Sequence, residues 1–135
     1  NNVEPYFKFR SGGSSGSTLS GAEYNYHWIR MNADSDVLNN HRSQSNTACS
    51  LGANVNNDST RVSMRFSWTV FDPFTSGKRT SVSGTGRMTA TDGNSAFLTG
   101  SCDYKGSDSV TGVIFYFSSG NLSPAHFKVY GIVNS

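Results

Sequence analysis

Three histidines are the side chains of this chain with the most evident catalytic capacity. His27, His41 and His126 are far apart, and no His-x-x-x-His arrangement accompanies them. A glycosidase needs two carboxylates placed across its substrate. The chain offers Glu4, Glu23 and seven aspartates, most of which fall in predicted turns. We therefore expect no enzymatic activity and no catalytic residue.

One short acidic segment has the spacing of a metal-binding loop. Asn32, Asp34 and Asp36 are spaced like the first three ligands of a calcium loop. Val37 stands where such a loop needs glycine, and Ser43 where it needs a bidentate glutamate. An ordinary turn is the favoured interpretation and bound calcium the alternative. We predict no metal and no cofactor.

Aromatic and basic side chains give the chain its best candidates for binding. Exposed rings on a β-sandwich, with amides and carboxylates nearby, could contact a glycan or a protein partner. Core packing is the competing interpretation for Trp28 and Trp68. For Arg61 and Arg65, with Arg10 and Arg30 as neighbours, a solvated sheet face is the favoured interpretation and a patch for an anionic glycan is the alternative. The predicted surface consists of Tyr24, Tyr26, Trp28, Arg61, Arg65 and Phe74.

The two cysteines, Cys49 and Cys102, are too few for a disulfide scaffold or a structural zinc site. Two buried free thiols and a single bridge both remain open. A bridge would close a loop of about 50 residues and add roughly 4 kcal/mol of stability by the chain-entropy model.

Composition favours an all-β domain without a nucleic-acid or membrane partner. The net charge is +2 and charged residues make up 15% of the chain, so the concentrated basic face of a nucleic-acid binder is not expected. No apolar run approaches the length of a membrane span. Ser, Thr, Asn and Gly account for 61 of 135 residues, whereas good helix formers are scarce.

The hydrophobic pattern predicts about eight strands separated by turn clusters. Its clearest part is 61–71, where Val62, Met64, Phe66, Trp68 and Val70 share one face. This pattern is typical of an antiparallel β-sandwich or jelly roll, and we predict one such domain over 1–135. The predicted strands cover 6–10, 22–31, 47–55, 61–71, 78–91, 95–104, 110–117 and 125–133.

Other segments refine this prediction. Residues 32–46 look irregular, and Asp92-Gly93 predicts a hairpin turn. Gly84-Thr-Gly86 lacks the features of a phosphate loop and indicates a bend or bulge within a strand. Residues 110–117 are apolar on both faces, which favours a central strand.

The C-terminal segment resembles a pattern that recurs in bacteriophage virion proteins. Over 110–132 it reads VTGVIFYFSSGNLSPAHFKVYGI: an apolar strand, Ser-Ser-Gly-Asn-aliphatic, then a strand ending in Tyr-Gly-Ile. The Tyr-His-Trp at 26–28, the Ala-Asp-Ser at 33–35, and the hairpin around 91–93 with Thr-Gly-Ser at 99–101 also resemble those domains. Pro124-Ala125 departs from the pattern, as do both cysteines. The resemblance implies a β-sandwich of a tail, fibre or capsid particle and identifies no catalytic or ligand-binding residue.

These observations predict a non-enzymatic bacteriophage virion structural domain, located in the virion or outside the cell. It would be a tail or fibre appendage or a capsid decoration, with host-surface polysaccharide as a candidate ligand. We expect other virion proteins and further copies of itself, a trimer for example, as partners, and neither nucleic acid nor membrane insertion. A secreted carbohydrate-binding module or lectin is the alternative, and an excised module of a bacterial surface protein is a third. Because residue 1 is Asn, we expect a processed chain or a piece of a longer one.

Overall fold

The computed structural model describes residues 2–35, 37–51, 55–56, 64–73, 75–89, 94–120, 126 and 128–130, and they form an all-β fold. A 3-10 turn at Gly13–Ser15 is the one helical segment among these residues. The predicted fold class is therefore confirmed. The strands are β1 (Asn2–Val3), β2 (Pro5–Arg10), β3 (Tyr24–Asn32), β4 (Leu38–Asn46), β5 (Cys49–Ser50), β6 (Val55–Asn56), β7 (Met64–Phe71), β8 (Thr80–Thr89), β9 (Ser95–Tyr104) and β10 (Gly112–Phe117).

Eight of these strands build two antiparallel sheets that pack face to face as a β-sandwich. The smaller sheet has three strands in the order β10-β2-β5, and the larger has five in the order β4-β3-β9-β8-β7. β1 and β6 form a separate two-stranded pair. Since the sheets bury one face each, the other face of the five-stranded sheet is turned to solvent.

Alternation of apolar and polar side chains identified most of the long strands correctly. β2, β3, β7, β8 and β9 fall within or beside their predicted ranges. β8 and β9 pair continuously from Thr80 opposite Tyr104 to Thr89 opposite Ser95, as the predicted hairpin requires. The turn residues 91–93 themselves lie outside the described residues.

The structure corrects the sequence prediction at both edges of the sandwich. Residues 32–46 are not irregular, because Leu38–Asn46 forms β4 along one edge of the five-stranded sheet. β10 is not central: among the described strands it pairs with β2 alone. In the described part of the predicted strand over 47–55, only Cys49–Ser50 and Val55 lie in strands, and residues 52–54 lie outside the described residues. The predicted strand over 125–133 is wrong for its described part, since His126 and residues 128–130 lie outside any strand.

Two clusters of buried side chains fill the space between the sheets. Phe7 and Phe9 of β2 are fully buried and lie edge to face, with ring centroids 5.5 Å apart. Burying each such ring stabilises the fold by about 1.5–3 kcal/mol. The larger cluster also contains Tyr24, Trp28, Cys49, Leu51, Val82, Cys102, Tyr104 and Val110, and the smaller consists of Val3, Met88, Ala96 and Leu98.

Glycines on the inner face of the five-stranded sheet make room for large rings. Gly100 lies opposite Trp28, and Gly84 lies opposite Trp68. Gly84 and Gly100 also face each other, so two tryptophans flank two glycines in one row across four strands. Gly86 lies opposite Phe66 in the same way. The glycines at 84 and 86 belong to a continuous strand register, so the predicted bend or bulge there is wrong.

A disulfide between Cys49 and Cys102 joins the two sheets. Cys49 belongs to β5 of the smaller sheet and Cys102 to β9 of the larger. Both cysteines are fully buried, and their Cα atoms are 6.3 Å apart. Of the two interpretations that the sequence left open, the structure has the bridge.

Candidate functional site

Two residues of the predicted binding surface belong to the core instead. Tyr24 is fully buried and Trp28 is 1% exposed, so the prediction that they contact a ligand or partner is wrong. The Tyr24 hydroxyl donates a hydrogen bond to the Leu19 carbonyl and accepts one from the Phe9 N–H, both at 2.8 Å. Burial raises the pKa of Tyr24 to about 12. These two residues hold the sheets together, as the competing interpretation of Trp28 supposed.

Tyr26 belongs to a polar cluster at the seam between the sheets. Its ring stacks on His41 of β4, with centroids 5.4 Å apart. His41 Nε2 lies 3.0 Å from the Ser50 hydroxyl and 3.4 Å from Glu4 Oε1. The hydroxyls of Ser50 and Tyr6 both donate hydrogen bonds to the Glu4 carboxylate. Burial, with the Glu4 hydrogen bond as the second cause, raises the pKa of Tyr6.

This cluster brings Ser, His and Glu together without the geometry of an activated nucleophile. Nucleophile activation places the serine and the carboxylate on different nitrogens of the imidazole. Here a single nitrogen of His41 faces both Ser50 and Glu4. Ser50 is also fully buried, so its hydroxyl is closed to a substrate. The arrangement ties β5 to β4 and has a structural role.

The outer face of the five-stranded sheet carries a row of exposed side chains different from the rows beside it. Strand pairing aligns one residue from each of the five strands. All five side chains are exposed. We call this set the outer row: Leu38, Met31, Phe97, Arg87 and Arg65.

The outer row combines three adjoining apolar side chains with two basic ones, on a face whose neighbouring rows are mainly polar. Leu38, Met31 and Phe97 are 59%, 40% and 41% exposed and occupy neighbouring positions on three adjacent strands. Large apolar side chains that adjoin one another at a surface are typical of interaction sites, whereas isolated ones are not. The next two rows are composed mainly of polar side chains: Asn40, Ile29, Thr99, Thr85 and Ser67, then Arg42, His27, Ser101, Ser83 and Thr69.

The basic end of the outer row consists of two arginines directly opposite each other. Arg65 of β7 and Arg87 of β8 are register partners. Like charges in this position destabilise a sheet by about 0.2–1 kcal/mol. Arg87 Nη2 donates a hydrogen bond of 2.7 Å to the Ser95 hydroxyl. Within the described part of the chain, neither arginine has a carboxylate at ion-pair distance.

A shallow recess of about 250 Å³ opens beside the outer row, at the end of the sheet where β3 and β9 meet. Met31, Phe97 and Arg87 line it on the outer-row side, and Asn32 and Ser95 line it beyond. The row and the recess together form one continuous surface. We take this surface as the candidate site.

Sequence reasoning found one member of this site and missed the rest. Arg65 is exposed on the outer face as predicted, whereas Arg61 and Phe74 lie outside the described residues. Arg10 is not a neighbour of Arg65, because it belongs to the smaller sheet and donates to the Gly16 carbonyl at 2.5 Å. Arg30 is not part of the outer row either, since it adjoins Met31 in β3 and so points to the opposite face.

No group of three or more His, Cys, Asp or Glu side chains within the described ranges could hold a metal ion. Asp34, from the calcium-like spacing, accepts a hydrogen bond of 2.9 Å from Asn94 Nδ2.

No helix in the described ranges has the length and apolarity to cross a membrane. Comparisons with protein-family models, with curated proteins and with solved structures found no match to this chain.

Proposed function

We propose that this chain is a non-enzymatic domain of a bacteriophage particle that contacts the surface of the host bacterium through the outer row. It would belong to a tail or fibre appendage or to a capsid decoration. The outer row is the main support for the proposal, because it places three adjoining exposed apolar side chains beside two arginines. Such a surface is suited to binding and offers no nucleophile or acid–base pair.

The sandwich and its disulfide support a location outside the cell. Disulfides form and persist in oxidising compartments and are rare in the cytosol. The bridge between Cys49 and Cys102 joins the two sheets covalently. The resemblance of the segment 110–132 to virion proteins favours a particle component over a free-standing secreted module.

A secreted carbohydrate-binding module is the second candidate function. Phe97 favours it, since an exposed ring next to arginines can hold the apolar face of a sugar. The two candidates differ in where the protein is found. Antibodies raised against the chain should label phage particles from the protein's natural source in immunogold electron microscopy. Labelling of secreted material alone would replace the phage proposal by the second candidate.

Host contact is tested by binding of the fluorescently labelled chain to intact bacteria from the same source, measured by flow cytometry. We expect saturable binding that Phe97→Ser abolishes. Phe71→Ser is the matched control, because Phe71 is 48% exposed on the same face but lies three rows away. Absence of saturable binding by the folded wild-type chain would overturn host contact. Equal loss in both variants would overturn the assignment to the outer row.

A further inference from the structure

We infer that the outer row binds an acidic polysaccharide, with sugar carboxylates at Arg65 and Arg87 and the apolar face of a sugar ring on Phe97. This inference rests on the proposed function, since it names the ligand class of the same surface.

Charge complementarity points to an anionic ligand. Arg65 and Arg87 face each other without a carboxylate between them among the described residues. Asp103 lies on the same outer face but six residues further along β9, about 20 Å from the row at the usual rise per residue. Two guanidinium groups side by side repel one another until an anion lies between them, and guanidinium binds carboxylate through paired hydrogen bonds.

The ring at the next position in the row points to a ligand with an apolar face. Phe97 is the register partner of Arg87, so ring and guanidinium project from adjacent strands about 4.8 Å apart. A pyranose ring presents C–H groups on one face and polar groups at its rim. A uronic acid therefore matches both side chains at once, with its C–H face on Phe97 and its carboxylate at Arg87.

The shape of the site fits a polysaccharide better than a single sugar. The outer row crosses five strands, which is about 19 Å at the usual strand spacing, and all five of its side chains are exposed. The recess beside Phe97, Met31 and Arg87 gives one sugar of such a chain a partly enclosed position. Several weak contacts repeated along a polymer then add up to useful affinity.

The test is titration of the purified chain with polygalacturonate, monitored by isothermal titration calorimetry. Methyl-esterified polygalacturonate is the matched ligand control, because esterification removes the charge and keeps the backbone. We expect the acid form to bind and the ester to bind at least about tenfold more weakly, as expected for charge-assisted hydrogen bonds. Added salt should weaken binding of the acid form.

Variants of the row identify the site. Arg87→Gln and Arg65→Gln should each weaken binding by about tenfold, and Phe97→Ser by a similar factor. Arg42→Gln and Phe71→Ser are the matched controls, since both residues are exposed on the same face outside the row. Their affinities should equal that of the wild-type chain. Circular dichroism and the urea midpoint confirm that each variant is folded.

Several outcomes would overturn the inference. Equal weakening by Arg42→Gln would indicate general attraction of a polyanion to a basic protein. Equal binding of the ester would show that the sugar carboxylates do not contribute to the affinity. Self-association of the chain in sedimentation velocity, lost in Phe97→Ser, would assign the row to a second copy.

The two proposals fail separately. Binding to cells that depends on Phe97, together with no binding of polygalacturonate, would overturn the acidic ligand and leave host contact in place. Binding of polygalacturonate by a chain that does not bind cells would overturn host contact and leave the ligand class in place.

Discussion

Replacing Gly86 by alanine tests whether the inner-face glycines are there to accommodate rings. A Cβ atom at Gly86 would lie 2.1 Å from Cδ1 and 2.3 Å from Cε1 of Phe66, and 3.1 Å from the Arg65 carbonyl oxygen. Real Cβ contacts essentially never fall below 3.0 Å, so the ring must move. Phe66 packs against both core clusters, and its displacement disturbs them.

Two opposing effects set the size of the change. Overpacking of this kind costs about 1–3 kcal/mol. Without a clash, alanine in place of glycine would stabilise a strand by about 0.5–1 kcal/mol, because the unfolded chain loses freedom. We therefore expect Gly86→Ala to lower the free energy of unfolding by about 1–2 kcal/mol. Urea denaturation followed by tryptophan fluorescence, with the disulfide intact, measures this change.

A double-mutant cycle and a control glycine make the result decisive. In a Phe66→Ala background the clash with the ring is absent and only the 3.1 Å contact with the Arg65 carbonyl oxygen remains, so Gly86→Ala should become close to neutral there. Gly112→Ala is the control, because its Cβ would lie 3.7 Å from the nearest atom, an ordinary contact with Arg10. We expect that variant to be as stable as the wild type or slightly more so. Equal destabilisation by Gly86→Ala in both backgrounds would refute the reasoning, as would stabilisation in the wild-type background.

Three further predictions follow from the core, the bridge and the arginines. Replacing Cys49 and Cys102 together by serine should lower the unfolding free energy by about 4 kcal/mol by the chain-entropy model, since the cysteines are 53 residues apart; an unchanged urea midpoint would contradict this. Burial raises the pKa of Tyr24 to about 12, so the folded state favours the neutral phenol. The stabilisation from this group is complete below pH 10. Between pH 10 and pH 12 the free energy of unfolding should fall by up to about 1.4 kcal/mol per pH unit because of this group. In Tyr24→Phe the unfolding free energy should fall less steeply with pH in this range, by at most the slope that one bound proton produces. An unchanged slope would show that Tyr24 does not contribute to it. Arg65→Thr should leave the urea midpoint unchanged or raise it, because it relieves repulsion with Arg87; a clear loss of stability would show that the two arginines do not repel.

The sequence predicts the strands whose two faces differ and misses the one whose faces are alike. β7 alternates apolar and polar residues because one of its faces packs on the core. β4 reads LNNHRSQSN and lies at an edge with most side chains exposed, so it carries no alternation to detect. Its pairing with β3 supplies the stability that its own residues do not. A strand of this kind is formed by tertiary pairing rather than by local preference.

The candidate site depends on register, which a single sequence does not encode. Arg65, Arg87 and Phe97 are distant in the chain and meet because β7, β8 and β9 pair without interruption. One local signal did exist: Phe97 falls between Ala96 and Leu98, both buried, and so must point to the solvent face of β9. A large apolar side chain on a solvent face would have marked that strand as the place to look.

The bridge between the sheets also decides what happens when the chain is cut. Lys78 and Arg79 are exposed after the turn that follows β7, and a trypsin-like enzyme could cleave there. Cys49 lies before that point and Cys102 after it, so the two fragments stay covalently joined. The hydrogen bonds of β8 with β7 and β9 would hold the cut ends in place. The protein could thus be nicked at this position and keep both halves of its surface.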